Sequence, residues 1–406
     1  MPCIARFPKI AALATAALLA ACGGGGGGGG GGVPVTDAGF VKLALTDAPA
    51  CGYNQINVTV QKVRVNTSAT AADGDPGWWE IVLSPAQKID LLSLTNGNVL
   101  ELGQVQVPVG TYQQLSLVLD TTTPLANSVV PVGGSETALG MPAGLQSGLK
   151  IPINVAVTKD QTSDYVIDFD ACNSVLRLGT SGNYDLSARL SVVQRLSATG
   201  QRVTGFVDPT LDPTTTRISV QQNGTIIRAT NPDSTPGPTK GHFVLYPVPV
   251  GTYDLVISGL GVVPAVVTGV TVSAATSTDV STSAAPISPP GSSVHTITGT
   301  VSTGTTPVDA RVAIIKKFNA PNCPTVPTAT TAGAPADATT GGLAYSVATG
   351  APVCAAFVAG ITPLVFSPDN TSPTGRYTVA VTAAGTTKTS DVDATTMDPA
   401  VSFTFP

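Results

Sequence analysis

Ile56, Val58 and Val60 alternate with Asn57, Thr59 and Gln61, the two-residue period of a half-buried strand. The apolar phase then slips by one and resumes at Val63 and Val65, which predicts a bulge near Gln61-Lys62. Similar short runs recur along the chain. Phe40 to Thr46, Trp78 to Leu83, Leu115 to Leu119, Ile151 to Val157, Tyr165 to Phe169 and Tyr184 to Val193 all read as strands. Turn chemistry separates them: Asp47-Ala48-Pro49, the loop Asp73 to Gly77, and the pair Asn96-Gly97, a strong tight-turn signal.

The same grammar continues after Gln201. Val203 to Val207 opens a second unit, and Ile218-Ser219-Val220 with Asn223-Gly224 predicts a hairpin. His242 to Leu245 and Asp254 to Ile257 follow as strands. Ala284 to Ser293 reads as a linker by its Ala, Pro and Ser content. A third unit starts at Thr296 to Val301 and includes a strand over Thr378 to Thr382, with an Ala, Thr and Pro-rich insertion between Pro321 and Thr340. Pro-x-Gly-x-Tyr occurs three times, led by Pro108, Pro249 and Pro373. Proline fixes φ near −65°, glycine accepts positive φ, and tyrosine enters the next strand with an apolar ring and a hydroxyl free to bond backbone. The motif is a strand-entry device, repeated at domain-sized intervals.

Composition strengthens the all-β reading. Of 406 residues only 11% are charged, too few to supply the wet faces of amphipathic helices. The expected architecture is all-β and multi-domain, built of antiparallel β-sandwich modules. No apolar run of about 18 residues follows the N-terminal segment. Without Arg6 and Lys9, 18 basic residues face 25 acidic ones, a net charge of −7, and the basic residues are scattered. That balance argues against nucleic acid as a partner.

The N-terminal segment is different in kind. Arg6 and Lys9 precede a short apolar stretch, Ile10 to Ala21, then Leu19-Ala20-Ala21-Cys22 and ten glycines, Gly23 to Gly32. A charged start, a short apolar core and small residues before a cut are marks of a secretory signal. The Leu-Ala-Ala-Cys sequence resembles the lipobox of bacterial lipoproteins. The resemblance implies cleavage before Cys22, attachment of diacylglycerol to its sulfur and acylation, palmitate included, of the new N-terminus. Gly23 in place of a retention aspartate implies, by the same resemblance, outer-membrane sorting, facing periplasm or cell surface. Several acyl chains anchor stably where one is marginal. The glycine run makes a flexible tether of about 17 Å.

Residues 38–195 resemble the DUF4382 family of bacterial envelope proteins. The resemblance is carried by Leu45-Thr46-Asp47-Ala48-Pro49, Ile89-Asp90-Leu91-Leu92, Pro108-Val109-Gly110-Thr111-Tyr112, Ser147-Gly148-Leu149-Lys150 and Asp168-Phe169-Asp170, in that order. It implies an all-β domain of uncharacterised function and brings no catalytic residues. The two later units resemble transthyretin-like, carboxypeptidase-regulatory or Cna-B type sandwiches through a Gly-x-Val opening strand and the Pro-x-Gly-x-Tyr turn. The expected organisation is a signal peptide at 1–21, a lipidated cysteine and tether at 22–36, a DUF4382-like domain at 37–196, a sandwich at 200–283, a linker at 284–294 and a second sandwich at 295–406.

Once Cys3 leaves with the signal and Cys22 takes lipid, Cys51, Cys172, Cys323 and Cys354 remain. Four cysteines allow three pairings. Domain logic favours Cys51–Cys172 and Cys323–Cys354, each within one proposed domain, in an oxidising envelope. Zinc is disfavoured, since no Cys-x-x-Cys occurs and His242 and His295 lie far from any cysteine in sequence. Nothing in the sequence calls for a cofactor.

Catalytic constellations are not legible. A Ser-His-Asp site would need His242 or His295, and neither a Gly-x-Ser-x-Gly elbow nor a phosphate-cradling loop occurs. Asp168 and Asp170 share a strand face and are the best candidate pair for a metal, against the simpler reading of a solvated face. Trp78 and Trp79, the only tryptophans, are expected to point to opposite faces, one into the core and one outward as a candidate ligand-stacking surface. The expected protein is a non-enzymatic, lipid-anchored envelope protein with a structural or interaction role. Its partners are the membrane, through the anchor, and an envelope protein or glycan. The alternative is a carbohydrate or small-ligand binding module, and a hydrolase is the least supported reading.

Overall fold

The longest strand, Tyr53–Asn66, organises the first domain. In the computed structural model it pairs antiparallel with Trp79–Asp90 on one side, and on the other with Ser128–Pro131 and then Gly110–Leu119. The register shifts between Val60 and Lys62, the bulge anticipated from the slipped phase. The extra residue lets Ile56, Val58 and Val60 before it and Val63 and Val65 after it all face one core. The structure describes residues 37–47, 53–178, 182–187, 189–303, 306–307, 310–333, 341–360, 362–383 and 385–406. Cys22, the glycine run and Cys51 lie outside them, and the side chain of Cys172 is likewise not described, so the Cys51–Cys172 pairing falls outside too.

Against this sheet packs a second one, ordered Leu190–Gln194, Thr162–Phe169, Ala38–Asp47 and Leu100–Pro108. Ala38–Asp47 and Thr162–Phe169 run parallel. Val41, Leu43 and Leu45 from this sheet and Leu115 and Leu117 from the other share one core. The run read as one strand over Tyr184 to Val193 is two. Asn183–Leu186 pairs in the larger sheet and Leu190–Gln194 in the smaller, so the chain changes sheets between them.

Two further sandwich modules follow, each with its own core. In the second module the three-stranded sheet of His242–Leu245, Val203–Phe206 and Thr278–Asp279 faces a six-stranded sheet. Four strands of that larger sheet are local: Thr225–Thr230, Arg217–Gln222, Gly251–Ser258 and Ala265–Val272. The other two, Val353–Ala356 and Ser367–Pro368, come from chain expected to belong to the third module. Val353–Ala356 adds in parallel to Ala265–Thr268. The boundary between modules is therefore crossed by a shared sheet. The third module pairs Val294–Thr303 with Gly342–Ala348 and Phe403–Phe405, and Ala310–Lys316 with Thr328–Gly333 and Arg376–Ala383.

The 284–294 stretch is not a free linker. Ile287 is 2% exposed in the second module's core. Its amide donates to Phe206 O at 2.8 Å, its carbonyl accepts from Asp208 N at 2.9 Å, and Pro290 O accepts from Val263 N at 2.9 Å. Prolines hold such a segment extended, which leaves the flanking amides and carbonyls free to pair with a neighbouring strand. One buried isoleucine is enough to pin it, and composition conceals that. The described residues from Asp37 to Pro406 form one compact unit. Among them no helix is long and apolar enough to cross a membrane.

Candidate functional site

Three of the five sequence signatures of the first domain, at Thr46-Asp47, Asp90 and Asp168-Phe169-Asp170, meet at one end of it. Parallel register sets Thr46 beside Asp168 and Asp47 beside Phe169, joining the Leu-Thr-Asp and Asp-Phe-Asp segments. Asp47 Oδ1 accepts from the Ala171 amide at 2.9 Å. The Thr46 hydroxyl lies 3.0 Å from Leu94 O and 2.9 Å from Asn98 O, so it holds both ends of the loop between them. Asp90 caps the 3-10 turn Leu91–Leu94, accepting from Leu92 N at 3.2 Å and from Ile56 N at 3.3 Å. Burial pushes the Asp90 carboxyl above its ordinary range, against those two bonds.

That fixed loop presents Asn96-Gly97, both at positive φ (55° and 81°), to the second module. Asn96 Oδ1 accepts the Val244 amide at 2.6 Å, and Asn96 N donates to Thr230 Oγ1 at 3.0 Å. A Cβ on Gly97 would stand 2.5 Å from Val244 Cγ1. Beside this contact Asp168 forms an ion pair with Arg228, whose side chain is 3% exposed. Burial pushes the Asp168 carboxyl up, and the guanidinium opposes it.

Two clefts flank the second module. A cleft of about 770 Å3 lies between the two domains, lined by Tyr53, Asn54, Asn96, Asn98 and Asp233 among others. A cleft of about 350 Å3 lies between the second and third modules, lined by Arg217, Ser258, Thr330, Ser346 and Tyr377 among others. Thr214 and Asn231 are among the lining residues of both. Asn231 Nδ2 donates to Pro213 O at 2.9 Å and Thr216 O at 2.8 Å, which fixes the amide's orientation. Its Oδ1 is buried and accepts from no group among the described residues.

The junction between the second and third modules is also tied. Gln221 Nε2 donates to Ala329 O at 2.5 Å and Gln221 Oε1 accepts from Ala329 N at 3.1 Å. Cys323 and Cys354 form a disulfide. It sits with Val256, Val266 and Phe318 in a small core between the modules, and so clamps their junction as well as the base of the insertion.

Residues 38–188 match DUF4382, a domain of unknown function. The converging motifs therefore belong to the DUF4382 domain, and the end they build is the end that docks on the next module. No curated protein matches the chain. Solved structures similar to it include a mutant type II cohesin–X-dockerin complex from Acetivibrio cellulolyticus, at 24% identity over 23% of this chain and 59% of that chain, with a TM-score of 0.18. The Bacillus anthracis TIE protein is 10% identical over 91% of this chain and 50% of that one, with a TM-score of 0.17. A streptococcal ancillary pilin is 9% identical over 89% and 98%, also at 0.17. This chain thus spans 59% and 50% of the first two.

Trp78 and Trp79 do not divide into core and surface. Both are half-buried. Trp79 packs against the core of the DUF4382 domain. Trp78 donates from Nε1 to Ala72 O at 2.9 Å, and the Arg64 guanidinium covers its ring at 4.3 Å. A loop folded over the strand gives the indole an internal partner, so the ring packs in the loop. Asp168 and Asp170 take different partners. Asp168 meets Arg228, whereas Asp170 lies past the strand end and accepts from Asn173 Nδ2 at 2.7 Å. Among the described residues no group of three or more His, Cys, Asp or Glu comes together for a metal ion. His242 stacks on Phe206 with ring centroids 4.8 Å apart. His295 Nδ1 lies 2.8 Å from Asp398 Oδ1, inside a strand and not at the edge of a flexible segment.

The three Pro-x-Gly-x-Tyr turns are not equivalent. Tyr112 donates to Pro108 O at 3.1 Å and Tyr253 to Pro249 O at 2.8 Å, each four residues back. Tyr377 instead donates to Ala348 O at 2.7 Å, and Pro373 O accepts from Lys316 Nζ at 2.5 Å. Lys316 is 1% exposed and also donates to Arg376 O at 3.0 Å. Burial lowers its ammonium to about 8. Sequence reading passed over Lys316, although it continues the inward phase of Ala310, Val312 and Ile314.

Proposed function

We propose that this protein is an envelope lipoprotein, held at the membrane through Cys22, that presents its modules as one stiff interaction platform without catalysing a reaction. The observation that carries the reading is the welding of every junction. Asn96 locks the DUF4382 domain to the second module, and Gln221, the shared sheet and the Cys323–Cys354 bridge lock the second module to the third. Independent domains joined by flexible connectors move relative to one another by default. Sharing a sheet and a core removes that freedom, which suits a stalk or scaffold better than a set of separately acting enzymes. The anchor is supported by the lipobox resemblance, and the glycine run gives it reach.

Two experiments test this. Acyl labelling of the exported protein should be lost in Cys22→Ser, and labelling that persists would reject the anchor. Small-angle scattering of the chain without its lipid should fit one conformation, and curves that demand independently moving modules would reject the platform.

A further inference from the structure

The Ser147-Gly148-Leu149-Lys150 motif of the DUF4382 domain frames a polar floor on the larger sheet, independent of the anchor and of the platform reading. Arg64 and Asn66 pair across the ladder with Ser116 and Gln114, and Ser116 in turn with Lys150. Their neighbours Val63, Val65, Leu115, Leu117 and Leu149 face the core, so these five side chains share the opposite face. Arg64, Asn66, Gln114 and Ser116 are buried all the same. The loop over residues 67–78 covers Arg64 and Asn66, and Gly148 passes so close that a Cβ there would stand 2.3 Å from Ser116 Oγ. Burial is not matched by pairing. Arg64 Nε, Gln114 Oε1 and Ser116 Oγ have no hydrogen-bond partner among the described residues, an uncommon state for buried polar atoms and a costly one.

Asp73 is the loop's charged contact with this floor. Its carboxylate lies 2.5 Å from Arg64 Nη2 and 3.3 Å from Lys150 Nζ. Burial acts to raise the Asp73 carboxyl, but hydrogen bonds from Ser147 and Lys150 and the charges of Lys150 and Arg64 hold it below its ordinary value. Without Asp73, three cations, Lys62, Arg64 and Lys150, would face one carboxylate, Glu80, which stands 2.8 Å from Lys62 and 3.9 Å from Arg64. Little apolar packing holds the loop. Of residues 67–78 only Ala71 is buried. The other ties are polar or cation–π: Lys150 Nζ donates to Ala71 O at 3.0 Å, Asn66 Nδ2 donates to Pro76 O at 3.2 Å, and Arg64 lies over the Trp78 ring. A segment held this way opens at far less cost than the whole fold.

We propose that the floor is a carboxylate-recognition site closed in cis by Asp73, and that its ligand in trans is an acidic peptide segment whose aspartate or glutamate replaces Asp73 on Arg64 and Lys150. The ligand's chemistry is read from the group already seated there. A guanidinium fork matches a planar carboxylate. Once the loop lifts, Gln114 Oε1 and Ser116 Oγ become reachable and can accept N–H groups of the peptide backbone. The cis carboxylate keeps the competent fraction small, so the parent protein binds weakly.

The test is fluorescence anisotropy on the full chain with labelled Gly-Asp-Gly-Asp-Gly, and Gly-Asn-Gly-Asn-Gly as the neutral control. Asp73→Asn should bind the acidic peptide at least tenfold more tightly than the parent protein and leave the neutral one unbound. Asp73→Ser serves if Asp73→Asn does not fold. Bound peptide should quicken amide hydrogen exchange over residues 67–77. Adding Lys150→Gln should weaken binding at least tenfold at an unchanged unfolding midpoint. If that double variant does not fold, Arg64→Lys in the same background, which keeps the charge and loses the fork, carries the test. The proposal is overturned if removing the Asp73 carboxylate does not tighten binding, or if the neutral peptide binds equally. It is also overturned if binding survives a folded floor variant or leaves exchange over 67–77 unchanged. Inorganic phosphate that binds Asp73→Asn where the peptide does not would reassign the floor to phosphate groups and overturn it too.

Discussion

Asn96 Oδ1 accepts the backbone amide of Val244 at 2.6 Å, a single bond between residues 148 apart that couples a tight turn to a neighbouring module. The turn exists for local reasons, since Asn and Gly tolerate positive φ. Its role as a docking peg depends on the loop behind it, held by Thr46. Asn96→Ala would leave the Val244 N–H without its acceptor at a part-buried junction. The expected cost is about 1–3 kcal/mol of unfolding free energy. Spin labels at Lys159 and Thr235 should report a broader distance distribution in the variant than in the parent protein. An unchanged distribution would show that the peg does not hold the domains.

The three tyrosines of the repeated turn should separate under the same substitution. Tyr112→Phe and Tyr253→Phe each remove a bond within one turn, at a cost of about 1 kcal/mol. Tyr377→Phe leaves a buried Ala348 carbonyl unpaired and should cost more, about 1–3 kcal/mol, because no solvent replaces the lost donor. Denaturant midpoints at constant slope decide it. Equal losses at all three positions would contradict the geometry.

Cys323 and Cys354 lie 31 residues apart. Closing a loop of that length lowers the entropy of the unfolded chain enough to stabilise the fold by about 3–4 kcal/mol. Cys354→Ser should lower stability by about that much. It should also raise protease sensitivity around Phe318, which packs against the bridge. A loss below about 1 kcal/mol would mean that the shared sheet alone secures the junction.

Lys316 supplies a pH signature. Its folded ammonium is lowered to about 8 from an unfolded value of 10.5, so between these values the unfolded chain binds more protons. Stability should therefore rise from about pH 8 toward pH 10, before the tyrosines titrate in the unfolded chain. In Lys316→Met that rise should flatten, read as the difference between denaturant midpoints of the two proteins across the interval. A parallel pH dependence in both would assign the effect to other groups.

The pattern of residues by itself determined the all-β class, most strands, the bulge at Gln61 and the two Asn-Gly turns, because each rests on neighbours within a few residues. It also brought out the motifs that mark residues 38–188 and the Cys323–Cys354 pairing, although that bridge spans the junction of two modules and does not lie within one. Tertiary structure alone decided what those pieces do. Whether Asp168 meets Asp170 or Arg228, whether Trp78 faces a ligand or Arg64, and whether Val353–Ala356 completes its own module or the preceding one depend on surfaces far apart in sequence. The same holds for Ile287, hidden in a stretch of linker composition, and for Asn231, whose buried Oδ1 accepts from no group among the described residues. A local pattern can set which way a side chain faces, but not what stands opposite it, since that partner is chosen by long-range packing.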